Sequence, residues 1–221
     1  MKLTNTQLTA IKEAVTKAEA HTSGEIATAL IPESDSYASF ELAFAIITGF
    51  ATFLVLLAFH APLSLFVQNN LWEFGSFQSA LLFGGVPFVT LLASYFLFNV
   101  PFFDRLIIPK IAMAQKVNQR ARRHFLEAGL TNTKERTGIL IFVSELERRV
   151  ELLADEGIAQ KIDQEQWNSI VDTILSGLSN NTFEHSLIEA VNQCGELLTE
   201  HFPADSSNPN ELDNALVILE N

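Results

Sequence analysis

What is scarce in this 221-residue chain narrows it first. There is one cysteine, Cys194, so an intramolecular disulfide is excluded, and a lone thiol among apolar helical positions reads as a small core residue. Cations are few: 14 Lys and Arg stand against 26 Asp and Glu, a formal net charge of −12. That balance excludes a general nucleic-acid binder, because neutralising phosphates needs Lys and Arg in excess. The histidines His21, His60, His124, His185 and His201 form no HExxH or other zinc-ligand spacing, and His185 with Glu189 one helical turn on reads as a solvated pair. GxSxG is absent, and no glycine-rich turn opens a helix in a phosphate-binding pattern.

Charge is missing locally as well. From Leu42 to Trp72, and again from Phe74 to Phe103, there is no Asp, Glu, Lys or Arg. A mean hydropathy of +0.21 is too apolar for an ordinary soluble protein of pI ≈ 4.8. The two runs predict spanning helices over about 42–63 and 79–99, joined by Val67 to Ser76 in a transmembrane hairpin. A soluble core hairpin is the alternative, but so small a chain has too little polar surface to cover both runs. The preceding segment, MKLTNTQLTAIKEAVTKAEAH, is polar with helical period, unlike a signal peptide.

The basic residues set an expected orientation. The connecting loop has Glu73 and no Lys or Arg, whereas Arg105, Lys110, Lys116, Arg120, Arg122 and Arg123 follow the second run. Both termini are expected in the cytoplasm of an integral protein of a bacterial inner membrane. His60, just before Ala61-Pro62, falls near the membrane edge, and neither run holds another ionisable residue, which argues against transport.

The flanking segments read as a soluble α/β domain. Leu8, Ile11, Val15 and Ala18 recur at helical spacing from Thr4 to His21, with Thr4 and Gln7 as a capping box. Glu25 to Ile31 reads as a strand, and Asp104 to Leu126 as a helix with Pro109 near its start. ILIFVS is a buried strand, and the turn Ser144-Glu-Leu-Glu with RRVELLAD completes a hairpin. Asp163 with Gln166 caps a helix that Gly177 closes, and Asn181 with Glu184 caps another. The first strand is too short to fold alone, so its expected partner is Ile139 to Val143, paired in parallel across the insertion. The expected organisation is a discontinuous cytoplasmic domain (1–35 and 104–203), a hairpin (36–103) and a loose acidic tail (204–221).

HTSGEI at His21 to Ile26, RTGILIFVSELERRVELLADEGI at Arg136 to Ile158, Trp167, the Gly195 helix with HFP at His201 to Pro203, and NEL at Asn210 to Leu212 resemble, in order and spacing, the TPM domain family. The resemblance implies a three-layer α/β/α sandwich with a small mixed sheet, interrupted here by the inserted hairpin. It also implies a family often attached to membranes and associated with maintaining membrane complexes, with phosphatase activity and divalent-cation binding proposed for some members. Where enzyme-like members carry Asp-Asn-Gly before the buried strand, this chain has Arg136-Thr137-Gly138, so that carboxylate is absent. Where the family has a Thr-Gly-x-Gly turn, Ala154-Asp155-Glu156-Gly157 stands instead, adding acid at a different place, and Asp163 matches the acidic residue that follows that turn.

Two candidate sites follow. Asp155, Glu156 and Asp163 lie between a strand end and a helix start, where carboxylate oxygens hold Ca²⁺ or Mg²⁺; the competing assignment is helix capping, and no cofactor is required by the rest of the sequence. Arg120, Arg122 and Arg123 form the one basic cluster, suited to anionic headgroups of the lipid bilayer, with a solvated Arg123–Glu127 pair as the competing reading. The expected function is a membrane-anchored, non-enzymatic interaction or assembly module that binds another membrane protein, and the alternative is a divalent-metal-dependent phosphatase.

Overall fold

A computed structural model describes residues 1–70, 75–98, 101–204 and 210–220. The chain divides into two compact units, Met1–Asp35 with Ile111–Asn221, and Ser36–Lys110. The connecting-loop residue Glu73, Asn99 at the end of the second expected span, and tail residues 205–209 lie outside the described residues.

In the first unit, helix α1 (Asn5–Glu19) begins with the expected capping box, in which Thr4 accepts from the Gln7 amide and Gln7 reaches back to Thr4. Strand β1 (Glu25–Ile31) follows. Beyond the insertion come α7 (Lys110–Glu127), which starts at the unit boundary, a 3₁₀ turn (Leu130–Asn132), and strands β2 (Gly138–Ser144) and β3 (Arg149–Ala154). The short α8 (Glu156–Ala159), then α9 (Gln164–Asn180), α10 (Phe183–His201) and strand β4 (Val217–Ile218) complete the chain.

The sheet runs β3-β2-β1-β4. β1 and β2 pair in parallel, Glu25 opposite Gly138 through Ile31 opposite Ser144, so the strands on either side of the insertion join as expected. β3 is antiparallel to β2, and β4 is parallel to β1. Alternation along β2 sorts its side chains: Ile139, Ile141 and Val143 enter a core with Ile11, Val15, Ile170, Ile174, Leu187 and Val191, contributed by α1, α9 and α10. Leu140 and Phe142 pack on the other face with Val117, Ala121 and Phe125 of α7. Helices on both faces make the three-layer α/β/α sandwich. Cys194 is wholly buried in the first core, and burial pushes its thiol up to about 12.

Several boundaries differ from expectation for steric reasons. Gly177 does not close its helix, because α9 continues to Asn180 and ends on the left-handed Asn181 (φ 58°). A side chain at Gly177 would run into Ser186, with Oγ 1.7 Å from the Cβ position, so this glycine serves the close packing of α9 and α10. Asn181 therefore terminates one helix and does not cap the next, whose N-cap is Thr182. The tail expected to be loose is ordered over 210–220, where Leu216 is buried and β4 adds to the sheet.

The second unit comprises α2 (Ala38–Ala58), α3 (His60–Asn70), α4 (Ser76–Ala80), a π turn (Leu81–Gly85), α5 (Val86–Phe98) and α6 (Pro101–Ile107). Ala38–Ala58 and Ser76–Phe98 are each long and apolar enough to cross a membrane, and only 11% and 6% of the respective windows is buried. α2 and α5 meet where Gly49 lies against Leu91 and the Pro87 carbonyl, a small residue permitting close helix approach, and Phe44 meets Phe98 edge-on at 4.6 Å. The single helix expected from Asp104 to Leu126 is broken at Ile108-Pro109, because proline disfavours helical geometry in the residue before it and has no amide to donate.

Candidate functional site

The turn from β3 into α8 brings Asp155 beside the segment that enters β2. Asp155 is the N-cap of α8; its Oδ1 accepts from the Glu156 amide at 2.7 Å, and its own amide donates to the Gly138 carbonyl at 2.9 Å. Gly157 and Gly138 are glycine because Cβ atoms there would stand 2.7 Å from the Arg136 carbonyl oxygen and 2.6 Å from that of Leu130. Arg136, in the left-handed region at φ 55°, reaches back across this turn. Its Nε lies 3.5 Å from Asp155 Oδ2 and its guanidinium donates to Glu156 Oε2 at 3.2 Å. Arg136 is therefore the counter-ion of the acidic turn.

A guanidinium pairs with both carboxylates, and Asp163 is the N-cap of α9, its amide donating to Gln166 Oε1 at 3.3 Å. Among the described residues, no group of three His, Cys, Asp or Glu side chains is placed to hold a metal ion. Asp155 and Glu156 share Arg136, whereas Asp163 serves its own helix.

The carboxyl ends of β1 and β2, where parallel strands of open sheets present their ligand crevice, are tied by a buried polar network. Ser34 Oγ and Ser144 Oγ are 2.9 Å apart, the Ser34 amide donates to Glu147 Oε1 at 2.9 Å, and the Ser144 hydroxyl donates to Glu147 Oε2. Ser144 is fully enclosed and Glu147 nearly so, leaving no approach for a substrate to the hydroxyl. The network joins the turn after β1 to the β2–β3 turn, a role hidden in SELE because a polar turn does not announce which carboxylate points inward.

The amino end of β1 holds the residues that sequence reasoning missed. Glu25 is buried; its Oε1 accepts from the Glu211 amide at 3.2 Å, and its Oε2 has no hydrogen-bond partner among the described residues. Half-buried Glu19 accepts from the Ile26 amide at 2.7 Å and from Asn214 Nδ2 at 2.5 Å. Burial foremost, with Glu25 adding repulsion, pushes the Glu19 carboxyl up to about 8, and burial also raises Glu25. The available signal was an acid as the first residue of a strand buried along nearly its whole length.

On α7 the basic cluster is divided. Arg120 donates to Glu127 at 3.5 Å, Arg122 to Asn118 at 2.8 Å, and Asn118 in turn to Glu151 at 3.0 Å. Arg122 and Arg123 are exposed, as are Ile111, Gln115, Gln119 and Leu126, which follow one another at helical spacing. His124 faces inward, and burial, followed by repulsion from Arg120, lowers its affinity for a proton.

A family model for the TPM domain matches residues 106–197. The fold is similar to the NMR structure of the BA42 protein from the psychrophilic bacterium Bizionia argentinensis, at 18% identity and a TM-score of 0.58, over 99% of this chain and 96% of that one. No curated protein matches.

Proposed function

We propose, from the match of residues 106–197 to the TPM domain, that the chain is a membrane-anchored, non-enzymatic module whose α/β domain binds another membrane protein. The observation that carries this reading is the place of the apolar helices: two runs of spanning length interrupt the chain between strands that pair in parallel. An anchor inserted inside a domain tethers that domain to the bilayer, where encounters with other membrane proteins are frequent. The anchored reading takes the lipid bilayer as the hairpin's environment, a bacterial inner membrane as its location and the cytoplasm as the compartment of both termini, following the excess of Arg and Lys after the second run.

The exposed face of α7 is the contact surface in this proposal, with Arg122 and Arg123 meeting anionic headgroups at about 1 kcal/mol each near the membrane surface and Ile111 and Leu126 available to a protein partner. The non-enzymatic part is supported by Arg136, which pairs with both carboxylates of the turn that a metal-dependent phosphatase would use. Photocrosslinkers at Gln119 and Arg122 in intact membranes are expected to trap a discrete membrane protein. Divalent-dependent turnover of phosphate esters by the purified protein, lost in Asp155→Asn, would overturn the reading in favour of the phosphatase. A cytoplasmic reporter fused after Asn221 is expected to be active, and the same reporter placed at Gln68 inactive.

A further inference from the structure

β3 is an outer strand of the sheet, and among the described residues no strand pairs with its free edge. The direction of its main-chain groups follows from the turn that ends it. The Asp155 amide donates to the Gly138 carbonyl, one step beyond the Ile139–Ala154 pair, so Leu153, Glu151 and Arg149 turn their N–H and C=O groups toward β2. Those of Val150, Leu152 and Ala154 therefore point outward, and among the described residues they meet no hydrogen-bond partner. The same three side chains are half-buried against the core that α1, α9 and α10 share. β4, at the opposite edge, has only two strand residues to offer.

The charges along this edge are ordered. RRVELLADE, from Arg148 to Glu156, is basic where it starts and acidic where it ends. Arg148 is exposed and Arg149 half-buried, and among the described residues neither guanidinium has a hydrogen bond or an ion pair. At the other end Glu156 is exposed, and Asp155 Oδ2 is enclosed without a hydrogen bond, 3.5 Å from Arg136 Nε. Laid antiparallel on a second copy about Leu152, the segment sets Leu152 on Leu152, Val150 on Ala154, and Arg148-Arg149 beside Asp155-Glu156, the last two matches occurring twice. The outward main-chain groups then meet as hydrogen-bonded pairs, and Glu151 faces Leu153 while keeping the Asn118 amide. A slip of two residues, the smallest that keeps each side chain on its face, sets Glu151 on Glu151 in one direction and on Asp155 in the other. Parallel pairing in register sets arginines on arginines.

We propose that the free edge of β3 is a homodimer interface, in which two copies of this chain join their β3 strands antiparallel about a two-fold axis at Leu152. The two sheets become one of twice the width, and the interface closes on itself, because the same edge serves both copies. Charge does the selecting: one register pairs opposite signs and its neighbours oppose like signs, so the edge accepts its own copy and resists other strands. The proposal does not rest on the function proposed above.

Size-exclusion chromatography with light scattering, which separates protein mass from detergent mass, reads the stoichiometry of the full chain in micelles at about 50 μM, enough to populate a dimer of micromolar dissociation constant. A dimer is expected. Arg148→Glu/Arg149→Glu is expected to raise the dissociation constant at least about tenfold while leaving the melting temperature unchanged, since neither guanidinium is bonded within one copy. Ala154→Pro is expected to weaken the dimer as much, because the amide it removes points away from β2. A monomeric wild-type chain at that concentration overturns the proposal, as does a dimer that either folded variant leaves as tight as before. Should Ala154→Pro fail to fold, the arginine variant decides alone. In intact membranes, a photocrosslinker at Arg148 is expected to join two copies of this chain; a foreign protein captured there in their place gives the edge a different occupant and overturns the proposal.

Discussion

The two ends of the sheet bury a glutamate each and treat it oppositely. At the carboxyl end, Glu147 receives the Ser34 amide on one oxygen and the Ser144 hydroxyl on the other, so both oxygens are bonded. At the amino end, Glu25 has one oxygen bonded and the other enclosed without a hydrogen-bond partner among the described residues, and burial foremost, with repulsion from Glu211, raises its carboxyl. A satisfied buried carboxylate ties turns together, whereas an unsatisfied one stores sensitivity to pH. The difference teaches where this domain is rigid and where it is adjustable.

The comparison breaks most readily at the rigid end. Glu147→Leu removes the shared acceptor of two buried donors and is expected to lower unfolding stability by about 3 kcal/mol in urea titration of the detergent-solubilised protein. If that loss is no greater than for an exposed acid, the network does not hold the turns. A smaller loss, about 1–2 kcal/mol, is expected for Arg136→Ala, which leaves Asp155 Oδ2 buried without its counter-ion; more than half of the arginine is exposed, so solvent screens part of the attraction.

At the adjustable end the sign reverses. Glu25→Gln is expected to stabilise the protein at pH 8 by about 1 kcal/mol, because an uncharged amide is less costly in that buried place than a carboxylate beside Glu211. The pH profile gives the sharper check. Glu19 titrates at 4.5 ordinarily and at about 8 in the fold, so the folded state carries the extra proton between those values. Its contribution is fully present below pH 4.5 and is lost as pH rises toward 8 and beyond. Glu19→Gln should flatten that segment of the stability profile. The smallest effect belongs to Asp163→Asn: if the residue only caps α9, stability changes by less than about 0.5 kcal/mol, since asparagine caps equally well, and added Ca²⁺ shifts the melting temperature of neither protein.

How much of this was legible depended on whether a residue's partner was local. The capping boxes at Thr4 and Asp163 were readable because each closes within three residues. β1 and β2 were readable from continuous apolar runs, which in a small sheet admit few arrangements. Gly177 misled because a glycine near a helix end looks like a stop signal, while its reason is Ser186 on another helix. Arg136 was visible in the sequence, but its position over Asp155 and Glu156 depends on the antiparallel pairing that brings the start of β2 beside the end of β3. The carboxylates Glu19 and Glu25 were hidden for the same reason: the segment that encloses them returns from the far end of the chain.

The parallel register of β1 with β2 also bears on biosynthesis. The first strand leaves the ribosome long before its neighbour exists, and both apolar runs are translated in the interval. Until Gly138 to Ser144 emerge, β1 has an unclaimed hydrogen-bonding edge and Ile26, Leu30 and Ile31 without a finished core. Insertion machinery or a chaperone that delays β1 from pairing elsewhere would therefore govern yield, and slowing translation across the insertion would lengthen the period of exposure.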